Sequence, residues 1–178
     1  MAALVTSLGF FTVVVALVAL ERLAELVISK RNAAWSLAHG GRETGTTHYT
    51  AMVVLHTGLL VGMLAEAWLR RPVVPVALAA SMLLLAIASQ GLRWWCIGTL
   101  GRRWNTRVIV VPDLPLVTGG PYRFFRHPNY VAVVVEGFAL PLVHAAWVTA
   151  LVFSLANAVV LAVRLRVENA ALATVREA

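Results

Sequence analysis

Polar residues in this chain are gathered into short blocks between long apolar runs, and each run can be measured against a bilayer. From Leu4 to Leu20 no charged residue occurs, and the apolar pattern continues to Ile28. At about 1.5 Å per residue, a helix of that length covers a hydrocarbon core of about 30 Å. A second run extends from Ala51 to Leu69 and a third from Val73 to about Leu92, parted by Arg70, Arg71 and Pro72. Two more, Val131 to Val143 and Ala145 to Val163, flank His144. The first of these is short for a span and carries Pro141, so it is expected to be tilted or half of a tight hairpin. The pattern predicts an all-α, polytopic integral membrane protein with five transmembrane segments. No basic stretch precedes the first run and no small-residue cleavage site closes it, so a removable signal peptide is not expected.

Composition supports a lipid solvent. Of 178 residues 60% are hydrophobic and 13% charged, with a mean hydropathy of +0.82; an ordinary soluble domain has about 45 to 50% apolar and 25% charged residues. A globule of this size has too little interior to hide so much apolar surface, which excludes a soluble globular enzyme. A formal net charge of +7 suits a nucleic-acid binder only when the basic residues cluster on a soluble face. Here they separate apolar runs, so no nucleic-acid partner is expected. Cys96 is the single cysteine, which excludes an intramolecular disulfide and a Cys-based metal cluster. The histidines lack ligand spacing, and no metal is expected.

Basic loops near span ends stay cytoplasmic. One side collects Arg22, Lys30, Arg31, Arg42, Arg93, Arg102, Arg103, Arg107, Arg123, Arg126, Arg164, Arg166 and Arg176, the other only Arg70 and Arg71. The amino terminus is therefore expected outside and the carboxyl terminus in the cytoplasm, in a bacterial inner membrane. The three longer polar segments, roughly 29 to 50, 93 to 130 and 164 to 178, then share the cytoplasmic face. Two parts follow: residues 1–92, with three transmembrane helices, and residues 93–178, which carry the chemistry.

Residues 116 to 130 are too rich in Arg, His, Asn and aromatics for a plain connector. Gly119, Gly120 and Pro121 predict a tight turn, because Gly admits positive φ and Pro presets φ near −65°. His127 precedes Pro128 and is biased away from helix, whereas Pro128 suits a first helical position, so the fourth helix is predicted to start there. Its unpaired N–H groups, beside Arg123 and Arg126, offer a site for a carboxylate or phosphate. Near the carboxyl end, Arg164 and Glu168 are expected to stack at i,i+4 and Arg166 to meet Asn169 at i,i+3. Arg164 alone reads equally well as a snorkelling end with a surface ion pair. Together, Arg, Glu and Asn on the side of His127 point to a shared pocket.

The Gly120-Pro121-Tyr122 turn, the Arg126-His127-Pro128-Asn129-Tyr130 helix start and the Arg164-x-Arg166-x-x-Glu168 cluster resemble the isoprenylcysteine carboxyl methyltransferase family, membrane enzymes that use S-adenosylmethionine. Leu100-Gly101 and Trp104 resemble the family's approach to that turn. Members commonly carry two consecutive glutamates where this chain has Glu168-Asn169, a departure that weighs against a protein-prenylcysteine substrate. The amino-terminal half, through Glu21-Arg22, Glu25, Ser29 to Asn32, Gly41 to Gly45, His48-Tyr49 and His56, resembles a bacterial branch that O-methylates alkylpyrones and alkylresorcinols. The resemblance implies a cytoplasmic-face cofactor pocket built by the C-terminal half and roofed by Arg102 to Leu116, within which Val108 to Val111 reads as a short extended piece or a packed loop.

The cofactor makes sense of the residue types. Its carboxylate, ammonium, sulfonium and adenine call for basic groups, an acid and aromatic faces, which Tyr122, Arg123, His127, Tyr130, Glu168 and Asn169 supply, with Gly120, Pro121 and Pro128 shaping the backbone. No G-x-G fingerprint follows a strand-like run, so the Rossmann way of holding this cofactor is absent. Arg164 and Glu168 join the catalytic set. A phenol or enol acceptor needs help losing its proton, and Glu136, on the face of Asn129 and Val133, is the candidate base; otherwise it is a protonated or hydrogen-bonded packing residue. Substrate contacts are expected from His48, His56, Trp104, Asn129 and Arg166, with His56 equally readable as an interhelical donor. His39 and His144 are expected at the surface, Glu66 at the interface, and Glu25 paired with Arg22. Trp68, Trp94, Trp95 and Trp147 suit an aromatic belt.

The first reading is therefore an O-methyltransferase acting on a lipophilic acceptor, best a phenolic or pyrone polyketide lipid, that reaches the site from the bilayer. Rival acceptors are a prenylcysteine-like carboxylate and a phospholipid amine. A different class, a non-catalytic subunit or transporter, has basic loops binding anionic membrane lipid, yet no internal repeat of the kind transporters carry is visible.

Overall fold

The computed structural model describes residues 6–112 and 114–176, without the side chains of residues 46–48 and 174–176. It is mostly helical. Helix α1 spans Leu8–Ala38, α2 Thr46–Arg70, α3 Val76–Leu100, α4 Pro128–Leu142 and α5 Trp147–Arg176. Short 3-10 turns at Gly101–Arg103 and Gly120–Arg123 bracket the long connection between α3 and α4. The exception to the all-α expectation is a two-stranded antiparallel sheet, β1 (Arg42–Thr44) on β2 (Val108–Val110), in which Glu43 faces Ile109.

Local chemistry sets the ends of the helices. Ser7 caps α1 by accepting from the Phe10 amide at 3.1 Å, satisfying one of the orphan donors of the first turn. Helix α2 stops at Arg71, in the left-handed region at φ 43°, where Pro72 forbids continuation. Pro128 occupies the first position of α4 with His127 as its N-cap residue, as the sequence predicted. Glu66 near the end of α2 accepts from the Val148 amide at 3.1 Å, the Thr149 amide at 2.8 Å and the Thr149 hydroxyl at 2.8 Å. It is thus a capping carboxylate for α5, placed where the positive end of the dipole favours an anion.

Among the described residues three helical stretches are long and apolar enough to cross a bilayer: Tyr49–Arg70, Val76–Arg103 and Trp147–Ala173. Three of the five expected segments therefore meet both conditions. Helix α4, at 15 residues, reaches about 22 Å, short of a hydrocarbon core of about 30 Å. Helix α1 has 31 residues but carries Glu21, Arg22 and Glu25 in its middle. Apolar side chains face outward, with Leu155 64% and Val159 67% exposed on α5, the signature of a surface solvated by lipid.

The apolar core unites Phe11 and Val15 of α1, Leu59 and Met63 of α2, Ala86 of α3, Leu140 of α4 and Phe153 of α5. Gly137 lets α4 and α5 close up: a Cβ there would lie 2.0 Å from Cε1 of Phe153. His144, expected at the surface, is only 3% exposed. The tight α4–α5 connection folds it inward, where its ring centroid lies 5.2 Å from that of Phe11. His39 is exposed and stacks on Trp35.

Candidate active site

The end of the bundle where α1 and α3 finish and α4 begins holds the polar chemistry. Asn32 of α1 donates to the Gly101 carbonyl at 3.1 Å and the Trp104 carbonyl at 2.7 Å, while Ser29 Oγ accepts from the Thr106 amide at 3.0 Å. These bonds anchor the start of the α3–α4 connection, and the β1–β2 pairing holds its middle. Gly120 closes the connection against α3 at φ 56°, and a Cβ there would lie 2.4 Å from Thr99 Oγ1; only glycine fits both constraints.

Beneath this connection lies a cavity of about 800 Å³, lined by Arg103, Asn105, Val108, Tyr122, Arg126, His127, Arg164, Glu168 and Asn169 among others. Its size falls within the range of sites for small molecules and cofactors. One hydrogen-bonded chain crosses its base. His127 Nδ1 faces Glu168 Oε1 at 3.2 Å, and its Nε2 faces Asn169 Oδ1 at 3.0 Å. Tyr130 donates its hydroxyl proton to Glu168 Oε2, and Arg164 Nε donates to that hydroxyl at 2.7 Å. The Arg164 guanidinium lies 5.6 Å from the Tyr130 ring centroid, and the His127 and Tyr130 rings stack at 5.5 Å.

Oxygen acceptors at both nitrogens favour a doubly protonated imidazole. The hydrogen bond to Glu168, opposed by partial burial, holds the His127 pKa above its ordinary 6.5. A histidine whose folded pKa is raised stabilises the fold fully below its unfolded pKa and loses that contribution as pH rises through the folded value. The wild-type unfolding midpoint is therefore expected to exceed that of His127→Gln most below pH 6.5 and to approach it at higher pH. Thermal unfolding in detergent at several pH values checks this. Burial pushes the Tyr122 hydroxyl well above its ordinary range, keeping it a neutral donor on the cavity wall.

Of the residues singled out in the sequence, Tyr122, His127, Arg164, Glu168 and Asn169 line the cavity, and Tyr130 links two of them. The i,i+4 contact expected between Arg164 and Glu168 is replaced by the bridge through Tyr130. Gly120 and Pro121 form the turn and Pro128 the helix start. Arg123 lies over the Phe124 ring at 4.4 Å. Arg166 is exposed on α5, and its expected partner Asn169 is engaged by His127. Trp104 is 2% exposed, buried beneath the connection rather than on the cavity wall. The buried Oδ1 of Asn129 finds no partner among the described residues. The side chain of His48 lies outside the described residues.

Glu136 and His56 sit deeper in the bundle. Glu136 pairs with Arg93 and lies 3.6 Å from Arg22; Arg22 binds Glu25 at 2.8 Å and Gln90 at 2.8 Å. With each carboxylate oxygen facing a guanidinium, Glu136 ties α1, α3 and α4 together. Sequence reasoning missed Asn105. Both its amide atoms are buried without a partner among the described residues on the cavity wall, and buried polar groups of that kind await a ligand or water. Its one signal was its place in the roof segment implied by resemblance.

Outward-apolar helices with a cofactor-sized cavity at one end define a membrane protein with room for a small molecule. The family model for isoprenylcysteine carboxyl methyltransferases matches residues 82–174, the stretch that builds the cavity from α3 to α5, and the chain belongs to this family of membrane methyltransferases. Over 162 residues, 91% of this chain and 96% of its own length, it is 34% identical to the uncharacterized protein YpbQ of Bacillus subtilis (strain 168). A stretch of 59 residues, 33% of this chain, is 39% identical to part of MsrQ, the heme-binding subunit of protein-methionine-sulfoxide reductase from Agrobacterium fabrum, covering 27% of that protein. No solved structure matches the chain.

Proposed function

We propose that this protein transfers a methyl group from S-adenosylmethionine to an oxygen of a lipophilic acceptor that reaches the site from the bilayer, the acceptor being a phenolic or pyrone polyketide lipid. The observation that carries the reading is the cavity base, where the Arg164–Tyr130–Glu168–His127 chain faces a hollow roofed by Arg103 to Thr118. The donor set suits the cofactor: Glu168 offers an acid for the ammonium, Arg126 and Arg164 offer cations for the carboxylate, and the orphaned Asn105 amide can take an adenine edge. Bound there, S-adenosylmethionine supplies an electrophilic methyl group for an in-line displacement. The chain's own work is to hold the two reactants in register, which in such reactions is worth about 7 to 11 kcal/mol at best, and to keep water out beneath the connection. The excess of basic residues at this end supports its lying on the cytoplasmic face.

Incubating the purified protein with methyl-tritiated S-adenosylmethionine and total membrane lipid is expected to label an alkylated phenol or pyrone as a base-stable methyl ether. Label in a base-labile methyl ester, in a phospholipid amine, or in no lipid at all contradicts the acceptor class.

A further inference from the structure

The charges around the large cavity do not balance. Four cationic side chains, Arg103, Arg126, His127 and Arg164, line it against one carboxylate, Glu168, among the described residues. Arg107 lines it too, but Glu43 of β1 lies 3.2 Å from its Nη1 and offsets it. Arg103 donates to the Pro115 carbonyl at 2.6 Å, which is neutral. Four cations against one carboxylate leave an excess of three.

Solvent screens the outer part of that excess, since Arg126 is exposed, but the base of the cavity keeps its share. Arg164 is only 5% exposed. Its Nε donates to the Tyr130 hydroxyl at 2.7 Å and its Nη1 to the Met52 sulfur at 3.2 Å, and neither partner is an anion. Glu168 alone therefore answers both the Arg164 guanidinium and the His127 imidazolium. S-adenosylmethionine brings an ammonium and a sulfonium against one carboxylate, so a cavity holding it has an excess of four. A second occupant is then favoured as an anion.

The same wall carries no free base among the described residues. Both oxygens of Glu168 are engaged, one by the His127 ring and one by the Tyr130 hydroxyl. Both nitrogens of His127 face oxygen atoms. Tyr122 keeps its proton, because burial pushes its hydroxyl well above the ordinary range. An acceptor that still carried a proton would find nothing here to take it.

Resting on the function proposed above, we infer that the acceptor hydroxyl is bound already ionised, held by the positive excess of the cavity, and is methylated without a general base. The site thereby selects acidic hydroxyls, those of enols and electron-poor phenols, over ordinary phenols and alcohols. The proton leaves to bulk water when the acceptor ionises. A lone pair of the acceptor oxyanion then forms the bond to the methyl carbon as the sulfur–carbon bond breaks and its electron pair passes to sulfur. One negative and one positive charge cancel, and no proton moves inside the site. The gain lies in the reactive population, because a phenol of ordinary acidity is ionised to about one part in a thousand at pH 7.

The charge on the acceptor can be read directly. An alkyl-chained 4-nitrophenol, yellow only as its anion, is titrated into the purified protein in neutral detergent at a pH below the midpoint of the phenol. Two companions are compared: sinefungin, a cofactor analogue with an ammonium where the sulfonium stands, and S-adenosylhomocysteine, whose sulfur is neutral. Colour beyond that of the micelles alone is expected, reporting a rise in the ionisation constant of about 10-fold or more, and the rise is larger with sinefungin. Arg164→Gln is expected to lose colour that Arg164→Lys retains. With methyl-tritiated S-adenosylmethionine, turnover of an ordinary alkylphenol is expected to climb about tenfold per pH unit through the neutral range, following its ionised fraction, while that of the nitrophenol levels off above its midpoint. A phenol that stays colourless beside bound sinefungin, equal colour in wild type and both variants, or an alkylphenol rate that levels off well below the midpoint of that phenol overturns the inference and leaves the methyltransferase reading intact. A wild type that binds neither sinefungin nor S-adenosylhomocysteine overturns that reading and this inference with it.

Discussion

Glu168→Ala is expected to weaken S-adenosylhomocysteine binding by about 30-fold or more, because losing the carboxylate that faces the cofactor ammonium in a site the bound cofactor closes to water costs about 2 kcal/mol or more. Glu168 is the only carboxylate among the described residues of the cavity wall, and each of its oxygens is engaged, one by the His127 ring and one by the Tyr130 hydroxyl. Its removal takes away the acid for the cofactor ammonium. It also leaves the imidazolium of His127 and, behind Tyr130, the guanidinium of Arg164 as uncompensated positive charge. The variant still inserts, since insertion rests on apolar runs that the substitution leaves untouched. Glu168→Gln, which keeps an oxygen but loses the charge, should fall between. Calorimetry on the purified variants checks the series, and an affinity for Glu168→Ala equal to wild type removes the residue from the site.

Arg93→Met is expected to cost about 3 to 5 kcal/mol of stability, the range for breaking a buried ion pair from one side. Arg93 is 5% exposed, and Glu136 is 7% exposed; without the guanidinium, Glu136 keeps only the longer contact to Arg22 at 3.6 Å. The double variant Arg93→Met with Glu136→Met should recover most of the loss, because a buried pair replaced by apolar groups of similar volume is often neutral in cost. Arg22 keeps Glu25 in that background. Unfolding in a denaturing detergent series measures both. Equal destabilisation of single and double variants shows that the pair is not what holds α1, α3 and α4 together.

Much of this architecture is readable along the chain because lipid forces apolar positions into continuous runs. The break at Arg71-Pro72 and the start of α4 at Pro128 follow from backbone rules that involve only neighbours in sequence. Helices α1 and α5 run on to Ala38 and Arg176, past the apolar limits at Ile28 and Val163, since a helix leaving the bilayer keeps its hydrogen bonds while its side chains turn polar. Strand β1 has three residues and no readable alternation; it exists through its pairing with β2. The site was legible to the extent that its residues sit on two helix ends brought together. What sequence spacing could not give was choice of partner across helices. Arg164 and Glu168 share a helix face, yet the arginine stem points back toward the start of α5 and finds Tyr130 of α4 between them. Arg93 and Glu136 are 43 positions apart, and no local rule pairs them. Asn105 carries no motif, and its unpartnered amide becomes visible only once the connection around it is folded.

The central claim, that the hollow between the α4 start and the α5 end holds the methyl donor, is tested most directly by photocrosslinking. Irradiating the protein with methyl-tritiated S-adenosylmethionine and mapping the labelled peptides is expected to place the label within residues 103–130 or 164–173, with protection by excess S-adenosylhomocysteine. Competable label confined to the other parts of α1 or α2, or no competable label, contradicts it.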